Sequence, residues 1–263
     1  MSDYENIQYE VNNAVATITL NRPNAANSIN IPLAQELNDA SIKIYNDDAI
    51  RAVIITGNGK MFSAGGDLAS FAVYGDKVAD GLRTITAALH SATSNFARMN
   101  KPVITAINGT AAGAGFSLAI ASDFAISADT AKYTLAYTAA GLSPDGSSTY
   151  VLPRLVGMRK AMELMITNRV LSAAEALDWG LVSEVVPTAD VMTRANELAS
   201  QLANGPSSAY GQVKNLLMSS FQNGYETQLQ LETDGIANMA ATSDGKEGIA
   251  AFLEKRKPSF TGK

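Results

Sequence analysis

The first half of the chain contains apolar segments of strand length separated by segments of helical length. Residues 15–20 alternate apolar and polar side chains as a half-buried strand does, and residues 7–11 are placed to form a hairpin with them. Residues 52–56 and 103–107 are continuous apolar runs, which are typical of strands covered on both faces. We therefore predict a sheet whose inner strands are fully buried.

Helices are predicted between these strands. Asn30 and Pro32 mark the start of the first helix. Apolar residues then recur on one face of that helix, at Leu33, Leu37, Ala40 and Ile44. A long helix is predicted from residue 78 to about residue 99. Because strand, helix and strand follow one another, we expect parallel strands joined by right-handed crossovers.

The second half of the chain adds short strands and then becomes helical throughout. Strands are predicted at residues 124–127, 133–136 and 182–186, with helices starting at Ser147 or Ser148 and spanning residues 159–167 and 173–179. The final helical part is interrupted at Pro206, Gly224 and Gly245. The predicted organisation is an α/β core of residues 1–190 followed by a helical region of residues 191–263.

Two glycine loops each follow a buried strand. The first, residues 61–68, contains Gly65 and Gly66 and continues as a polar, irregular segment to about Asp80. The second contains Gly113 and Gly115 and leads into a helix predicted at residues 116–121. Glycine lets the backbone approach a ligand closely, and the first N–H groups of a helix carry partial positive charge. The loops therefore predict an oxyanion site built from backbone N–H groups.

Two familiar motifs fit the second loop poorly. Gly113-Ala114-Gly115 lacks the third glycine of the dinucleotide-binding fingerprint. Residues 115–119 approach the nucleophile elbow of serine hydrolases, but the last position is alanine. The only histidine, His90, precedes Ser117 instead of following it. Neither a nucleotide cofactor nor a serine nucleophile is indicated.

Composition narrows the chemistry further. The 263 residues include 46% hydrophobic and 17% charged residues, and a formal charge of −5 does not favour nucleic acid or an anionic membrane as a partner. The chain has no cysteine, and one histidine without clustered carboxylates makes a catalytic metal unexpected. Residues 1–10 lack a signal segment, and no apolar run reaches the ~18 residues of a membrane helix. We expect a cytoplasmic protein whose chemistry relies on carboxylates, hydroxyls and backbone.

Five separated motifs together resemble those of the crotonase superfamily, also called the enoyl-CoA hydratase/isomerase family. They are Ser63-Ala64-Gly65-Gly66-Asp67-Leu68, Lys101-Pro102-Val103, Asn108-Gly109, Gly113-Ala114-Gly115 and Ser122-Asp123. The similarity extends from residue 20 to residue 263, nearly the whole chain. Each motif alone is weak, but their shared order and spacing are specific.

The resemblance implies a fold and an assembly. The family fold is a spiral of ββα units with a C-terminal helical region that mediates trimers or dimers of trimers. The helical region of this chain also has more apolar surface than a single layer of helices can bury. The apolar residues concerned are Val213, Leu216, Leu217, Leu229 and Ile236. We therefore expect the chain to associate with copies of itself.

The resemblance also implies an acyl-CoA substrate. Its thioester oxygen would accept hydrogen bonds from the backbone N–H groups of Gly66 and Ala114, where negative charge develops. Coenzyme A is then part of the substrate, and no separate cofactor is expected. Further residues are expected to bind the substrate, namely Ala64, Gly65, Asp67, Leu68, Gly113, Ser117, Tyr137 and His90.

The sequence departs from the hydratases of this family at the catalytic positions. Their two glutamates correspond here to Ser117 and Tyr137, neither of which is an ordinary general base near neutral pH. Asp145 instead resembles the acid with which Δ3,Δ2-enoyl-CoA isomerases move a proton between C2 and C4. The predicted function is therefore isomerisation of a 3-enoyl-CoA to a 2-enoyl-CoA by Asp145.

Other members of the family remain alternatives. The chain is similar to 1,2-epoxyphenylacetyl-CoA isomerases, and Asp145 and His90 match the catalytic pair of 4-chlorobenzoyl-CoA dehalogenases. The aromatic-site tryptophan and the oxyanion phenylalanine of those dehalogenases correspond to Tyr137 and Gly66. A hydratase with an unrecognised base and a non-catalytic acyl-CoA binder are further alternatives. The acyl group, the residues that bind the CoA phosphates, the choice between trimer and hexamer, and the choice between proton shuttle and nucleophile for Asp145 stay open.

Overall fold

The computed structural model describes residues 4–263. Met1, Ser2 and Asp3 lie outside the described residues, and with them the first three positions of the predicted core and of the predicted signal-free segment of residues 1–10. The strands in chain order are β1 (Ile7–Asn12), β2 (Val15–Leu20), β3 (Ala52–Gly57), β4 (Met61–Ser63), β5 (Val103–Ile107), β6 (Thr110–Ala112), β7 (Phe124–Ala128), β8 (Lys132–Thr134), β9 (Leu171–Ser172) and β10 (Glu184–Val186).

The α-helices cover these strands and extend beyond them. In chain order they are α1 (Ile31–Asn46), α2 (Leu68–Val73), α3 (Val78–Arg98), α4 (Ala114–Ile120), α5 (Ser148–Val156), α6 (Met158–Thr167), α7 (Ala173–Asp178), α8 (Val191–Ala203), α9 (Ser207–Ser220), α10 (Tyr225–Ala241) and α11 (Ser243–Leu253). Among the described residues, none of the helices combines the length and the hydropathy needed to cross a bilayer.

Two sheets form the framework of the molecule. The main sheet has the order β1-β2-β3-β5-β7-β10, and its neighbours run parallel except for the antiparallel β1 and β2. The small sheet has the order β4-β6-β8-β9. Consecutive strands such as β3 and β4, or β5 and β6, therefore enter different sheets before the next helix. This repetition is the predicted spiral of ββα units.

Burial explains why the inner strands are continuous apolar runs. Every residue of β3 and β5 is buried, as expected for parallel strands covered on both faces. Helix α8 packs against β3, β5 and β7 through small buried residues four positions apart, Ala195, Ala199 and Ala203. The predicted division at residue 190 thus falls immediately before a helix that covers the main sheet.

Several short elements differ from the sequence prediction. Residues 61–63 and 110–112, predicted as loop, form strands of three residues each, because pairing between them supplies order that so short a pattern cannot indicate. Residues 68–73, predicted as irregular, form α2, which Asp67 caps by accepting a hydrogen bond from Ser70 N at 3.1 Å. Helix α4 begins at Ala114, two residues earlier than predicted, because Gly113 serves as its N-cap.

The break near residue 245 also lies elsewhere than predicted. Helix α10 ends at Ala241, and Thr242 caps α11 by accepting a hydrogen bond from Gly245 N at 2.9 Å. Gly245 itself lies inside α11. A glycine in the first turn of a helix is tolerated when the side chain of the N-cap residue accepts a hydrogen bond from its N–H group. The presence of Gly245 therefore does not mark the position at which the helix is interrupted.

Candidate functional site

The two glycine loops meet beyond the carboxyl ends of β4 and β6. These strands pair in parallel, with Met61 opposite Thr110, so the residues that follow them lie side by side. Gly65 has φ +93°, and a Cβ atom on it would lie 2.7 Å from the Ala112 carbonyl oxygen and 3.0 Å from Ala114 N. Only glycine fits this contact. The close approach of the loops places Gly66 and Ala114 at one site.

The backbone fixes Gly66 on both sides. Ile29 N donates to the Gly65 carbonyl oxygen at 2.7 Å, and Asp67 N donates to the Ile29 carbonyl oxygen at 3.0 Å. The intervening Gly66 N–H donates no hydrogen bond to any of the residues that the structure describes. It is therefore available to a ligand.

A second N–H group is available at the start of α4. Ala114 is the first helical residue, and its N–H lies among the first-turn groups that have no partner within a helix. Within residues 4–263 it donates to no acceptor. Gly113, with φ +50°, turns the chain from β6 into the helix. Two neighbouring donors of this kind can hold an oxygen that carries negative charge.

Both donors line one cavity, which we call the central cavity. Its volume is about 300 Å³. Most of its wall is aliphatic or aromatic, formed by Ile29, Leu68, Phe71, Leu82, Ile85, Leu89 and Leu142 together with Ala64, Ala136 and Ala140. The side-chain polar groups in its wall belong to Thr86, Tyr137, Ser143 and Asp145. Of the described residues that line it, Asp145 alone carries a carboxyl group.

Asp145 is held in the turn between residues 143 and 147. Its backbone carbonyl accepts a hydrogen bond from Ser148 Oγ at 2.8 Å, which fixes the turn to the start of α5. Tyr137 O–H donates to Asp145 Oδ1 at 2.6 Å, and His90 Nε2 lies 3.3 Å from Oδ2. The side chain is 25% exposed, so the carboxyl group reaches the cavity without being freely solvated.

Behind Asp145 lies a buried pair of hydroxyl groups. Ser117 Oγ is 3.0 Å from the Tyr137 hydroxyl oxygen, and Ser117 is completely buried. Burial raises the pKa of the Tyr137 phenol above its ordinary range, and the negative charge of Asp145 raises this pKa further. The phenol therefore stays protonated and acts as a hydrogen-bond donor.

His90 approaches Asp145 from α3 but lines a different cavity. Gly146 N donates to His90 Nε2 at 3.1 Å. The imidazole is 49% exposed and borders a neighbouring cavity of about 540 Å³, together with Ser147 and Tyr150. The structure thus brings His90 to the carboxyl group of Asp145 without bringing it into the wall of the central cavity.

Most residues predicted from the sequence to form the site line the central cavity. These are Ala64, Gly66, Leu68, Gly113, Ala114, Tyr137 and Asp145. Gly65, Ser117, His90 and Asp67 do not line it. Asp67 caps α2 and forms an ion pair with Arg22 at 2.9 Å. Burial raises the pKa of its carboxyl group, but the hydrogen bonds from Ser70 and the contact with Arg22 together hold this pKa below the ordinary value. Its position supports the loop that carries Gly66.

The sequence analysis did not predict that α3 contributes an apolar part of the cavity wall. Leu82, Ile85 and Leu89 face the cavity at helical spacings of three and four residues. That periodicity was visible in the sequence. It was ambiguous, because an apolar stripe on a helix is usually part of the core.

The chain also matches a known protein family. A family model described as enoyl-CoA hydratase/isomerase matches residues 10–263. The chain belongs to the enoyl-CoA hydratase/isomerase family. This membership confirms the resemblance to the crotonase superfamily, and the family is one of enzymes whose description implies an acyl-CoA thioester as the substrate.

Individual members of the family resemble the chain over its whole length. It is 35% identical over 263 residues to the trans-2-decenoyl-[acyl-carrier-protein] isomerase of Streptococcus mutans, covering 99% of this chain and 100% of that protein. It is 38% identical over 260 residues to the 1,2-epoxyphenylacetyl-CoA isomerase of Escherichia coli, covering 98% and 99%. Family members of comparable identity include hydratases and 4-chlorobenzoyl-CoA dehalogenases.

Solved structures of the family share the fold. An enoyl-CoA hydratase from Bacillus anthracis superposes with a TM-score of 0.92 at 35% identity, covering 98% of this chain and 100% of that one. The predicted α/β spiral of ββα units with a C-terminal helical region is confirmed. Isomerases, hydratases and dehalogenases are similar to this chain to nearly the same degree, so identity alone does not separate their activities.

Proposed function

We propose that this member of the family is an isomerase that converts a 3-enoyl-CoA to a 2-enoyl-CoA, with Asp145 carrying the proton. One observation carries the proposal: Asp145 supplies the single carboxyl group among the described residues that line the cavity holding the Gly66 and Ala114 N–H groups. A carboxylate and two fixed donors around one apolar cavity are the groups that an allylic proton transfer needs.

The reaction uses these groups in two steps. Asp145 takes a proton from C2 of the acyl chain, and the electrons of the broken C–H bond move toward the thioester oxygen, giving a dienolate. The Gly66 and Ala114 N–H groups stabilise the charge on that oxygen. Asp145 then returns the proton to C4, which leaves the double bond between C2 and C3. No water, electron or hydride is consumed, so the reaction needs no cofactor beyond the CoA of the substrate.

The surroundings of Asp145 support isomerisation over hydration. A hydratase must activate a water molecule and also deliver a proton to carbon, for which related hydratases use two acids. Here Ser117 is buried and does not line the cavity, and the Tyr137 hydroxyl already donates a hydrogen bond to Asp145. With one carboxyl group present, a reaction that removes and returns the same proton fits better than one that adds water.

A second candidate is hydrolytic dehalogenation of an aromatic acyl-CoA, as in the dehalogenase relatives, in which water replaces a chlorine of the ring, chloride leaves and the thioester stays intact. The 3.3 Å contact between His90 Nε2 and Asp145 Oδ2 favours it, because that chemistry pairs a nucleophilic aspartate with a histidine. The largely aliphatic wall, to which α3 contributes Leu82, Ile85 and Leu89, favours an aliphatic acyl chain instead. Comparing turnover of 3-enoyl-CoA thioesters, 1,2-epoxyphenylacetyl-CoA and 4-chlorobenzoyl-CoA distinguishes these substrate classes.

The proposed isomerase is tested by Asp145→Asn. A proton-transfer residue contributes about 10² to 10⁴ in rate, so turnover of a 3-enoyl-CoA should fall by that factor while acyl-CoA binding by calorimetry stays nearly unchanged. Asp129→Asn is a matched control, because Asp129 bonds Thr188 at the end of β7 and does not line the cavity. Its turnover should equal that of the wild type.

Deuterium exchange separates an isomerase from a non-catalytic binder. In deuterated water the wild type should exchange the α- or γ-protons of the substrate, and a binder should not. Full isomerase activity in Asp145→Asn, or hydration as the faster reaction of the wild type, would overturn the proposal.

We also propose that the C-terminal helical region, residues 191–263, assembles the enzyme as a trimer or a dimer of trimers. A groove between α9 and α10 is lined by Val213, Leu216, Leu229 and Ile236, and Ile236 is 74% exposed. Isolated exposed apolar residues are ordinary, but a contiguous apolar groove is typical of an interaction surface.

A further inference from the structure

We propose that Tyr137, supported by Ser117, is a positioning residue that holds Asp145 through Oδ1 and leaves Oδ2 as the oxygen that carries the transferred proton. The inference rests on the proposed role of Asp145. Ser117 and Tyr137 occupy the two positions at which hydratases of the family have glutamates, and the inference gives both side chains the same role.

The direction of the hydrogen bonds follows from a count of protons. The Tyr137 hydroxyl has one proton, and its 2.6 Å contact with the Asp145 carboxyl oxygen requires that proton. The Ser117 hydroxyl also has one proton, with the Tyr137 oxygen 3.0 Å away and the Gly113 carbonyl oxygen 3.4 Å away. Because Tyr137 has no second proton for the shorter contact, we assign the Ser117 proton to that contact. The result is a chain of donors from Ser117 through Tyr137 to Oδ1 of Asp145. Each bond in such a chain polarises and strengthens the next.

Close packing also fixes the position of Asp145 relative to Ser117. Gly146, the residue after Asp145, has φ +61°, and a Cβ atom on it would lie 2.9 Å from Ser117 Cβ. The turn that carries Asp145 therefore rests directly on Ser117. Ser117 is in the first turn of α4, the helix that starts with the proposed oxyanion donor Ala114. The proton carrier and the oxyanion donor are thus positioned against one another by the buried side chain of Ser117.

The other carboxyl oxygen is left to carry the proton. Gly146 N donates to His90 Nε2 at 3.1 Å, so Nε2 presents a lone pair and its proton must be on Nδ1. Without a proton, Nε2 donates no hydrogen bond to Oδ2, although the two atoms are 3.3 Å apart. Oδ1 already accepts a hydrogen bond from Tyr137 and therefore binds a proton less readily. Both contacts assign the proton to the same oxygen.

Tyr137→Phe tests the positioning role because it keeps the aromatic ring in the cavity wall and removes the hydroxyl. A hydrogen bond to a charged group is worth enough that kcat should fall about tenfold, with KM changed less than about twofold. Ser117→Ala should lower kcat in the same direction by a smaller factor. Tyr133→Phe is the matched control: Tyr133 is also buried and donates to Ser127 Oγ at 2.6 Å, but it does not line the central cavity. Its kcat and KM should equal those of the wild type.

A double-mutant cycle shows whether Tyr137 acts through Asp145. In the Asp145→Asn background, Tyr137→Phe should cause no further loss of kcat, whereas multiplied losses would mean that Tyr137 acts on the substrate directly and would overturn the inference. Unchanged kcat in Tyr137→Phe together with an inactive Asp145→Asn would overturn the inference and leave the proposed isomerase intact. Full activity in Asp145→Asn would overturn both.

The assignment of the proton to Oδ2 has its own measurement. Because the chain contains one histidine, the imidazole signals in a ¹⁵N spectrum of the histidine-labelled protein come from His90 alone. At a pH where the imidazole is neutral, Nδ1 should be the protonated nitrogen and Nε2 the bare one. A neutral imidazole protonated at Nε2 would instead donate to Asp145 Oδ2 and would overturn this part of the inference.

Discussion

Replacing Ala114 by proline removes one of the two proposed oxyanion donors without breaking a hydrogen bond among the described residues. Ala114 is the first residue of α4, a position where proline is favoured because the N–H group has no helical partner. Gly113 has ψ −128°, which lies outside the helical region that proline disfavours in the residue before it. Within the described part of the chain the Ala114 N–H bonds nothing, so no intramolecular hydrogen bond is lost.

The expected loss is therefore almost entirely catalytic. Removing one donor to a developing oxyanion costs about 2.7 to 4 kcal/mol of transition-state stabilisation, which corresponds to a fall in kcat of about 10² to 10³. Turnover is followed by the ultraviolet absorbance that appears when the double bond becomes conjugated with the thioester. The melting temperature of Ala114→Pro should lie close to that of the wild type.

Ala114→Gly is the matched control. It alters the same residue but keeps the N–H group, so kcat should remain within about threefold of the wild type. If a folded Ala114→Pro also stays within about threefold, the Ala114 N–H does not stabilise the oxyanion and the placement of the thioester between the two loops is incorrect.

Two further predictions concern stability and assembly. A Cβ atom added to Gly115 would lie 2.5 Å from Ser63 Cβ and 2.6 Å from the Ser63 carbonyl oxygen, so Gly115→Ala should lower the free energy of unfolding by about 1 to 3 kcal/mol in urea titrations. Gly224→Ala, where a Cβ atom would meet nothing within 4 Å, should cost less, and equal effects of the two changes would contradict the packing. Light scattering should give a mass several times 27.6 kDa, and a stable monomer at micromolar concentration would refute the proposed assembly.

The sequence predicted the long elements of the fold because their patterns extend over several residues. β2, β3 and β5 and the helices α1 and α3 agree closely with the apolar runs and the helical spacing. β4, β6 and β9 have two or three residues each, too few for a period to be recognised. Their order comes from pairing with distant strands, which is tertiary information.

The backbone part of the candidate site was easier to predict than its side-chain network. The glycines at positions 65 and 113 indicated a close approach of two loops, and the structure has positive φ at both. The sequence did not indicate that Ser117 is buried behind Tyr137, or that His90 meets Asp145 while lining another cavity. Those placements depend on the turn around Gly146 and on side-chain rotamers, for which the sequence has no periodic signal.

The separation of backbone donors from reactive side chains also affects how such an enzyme can change during evolution. No substitution except proline deletes the N–H groups at Gly66 and Ala114, so most point mutations leave both proposed oxyanion donors in place. The groups at positions 117, 137 and 145 are side chains, each replaceable by a single amino-acid change. A lineage can therefore exchange one reaction for another by side-chain changes alone while it keeps the proposed oxyanion donors, which accords with isomerases, hydratases and dehalogenases of nearly equal similarity to this chain.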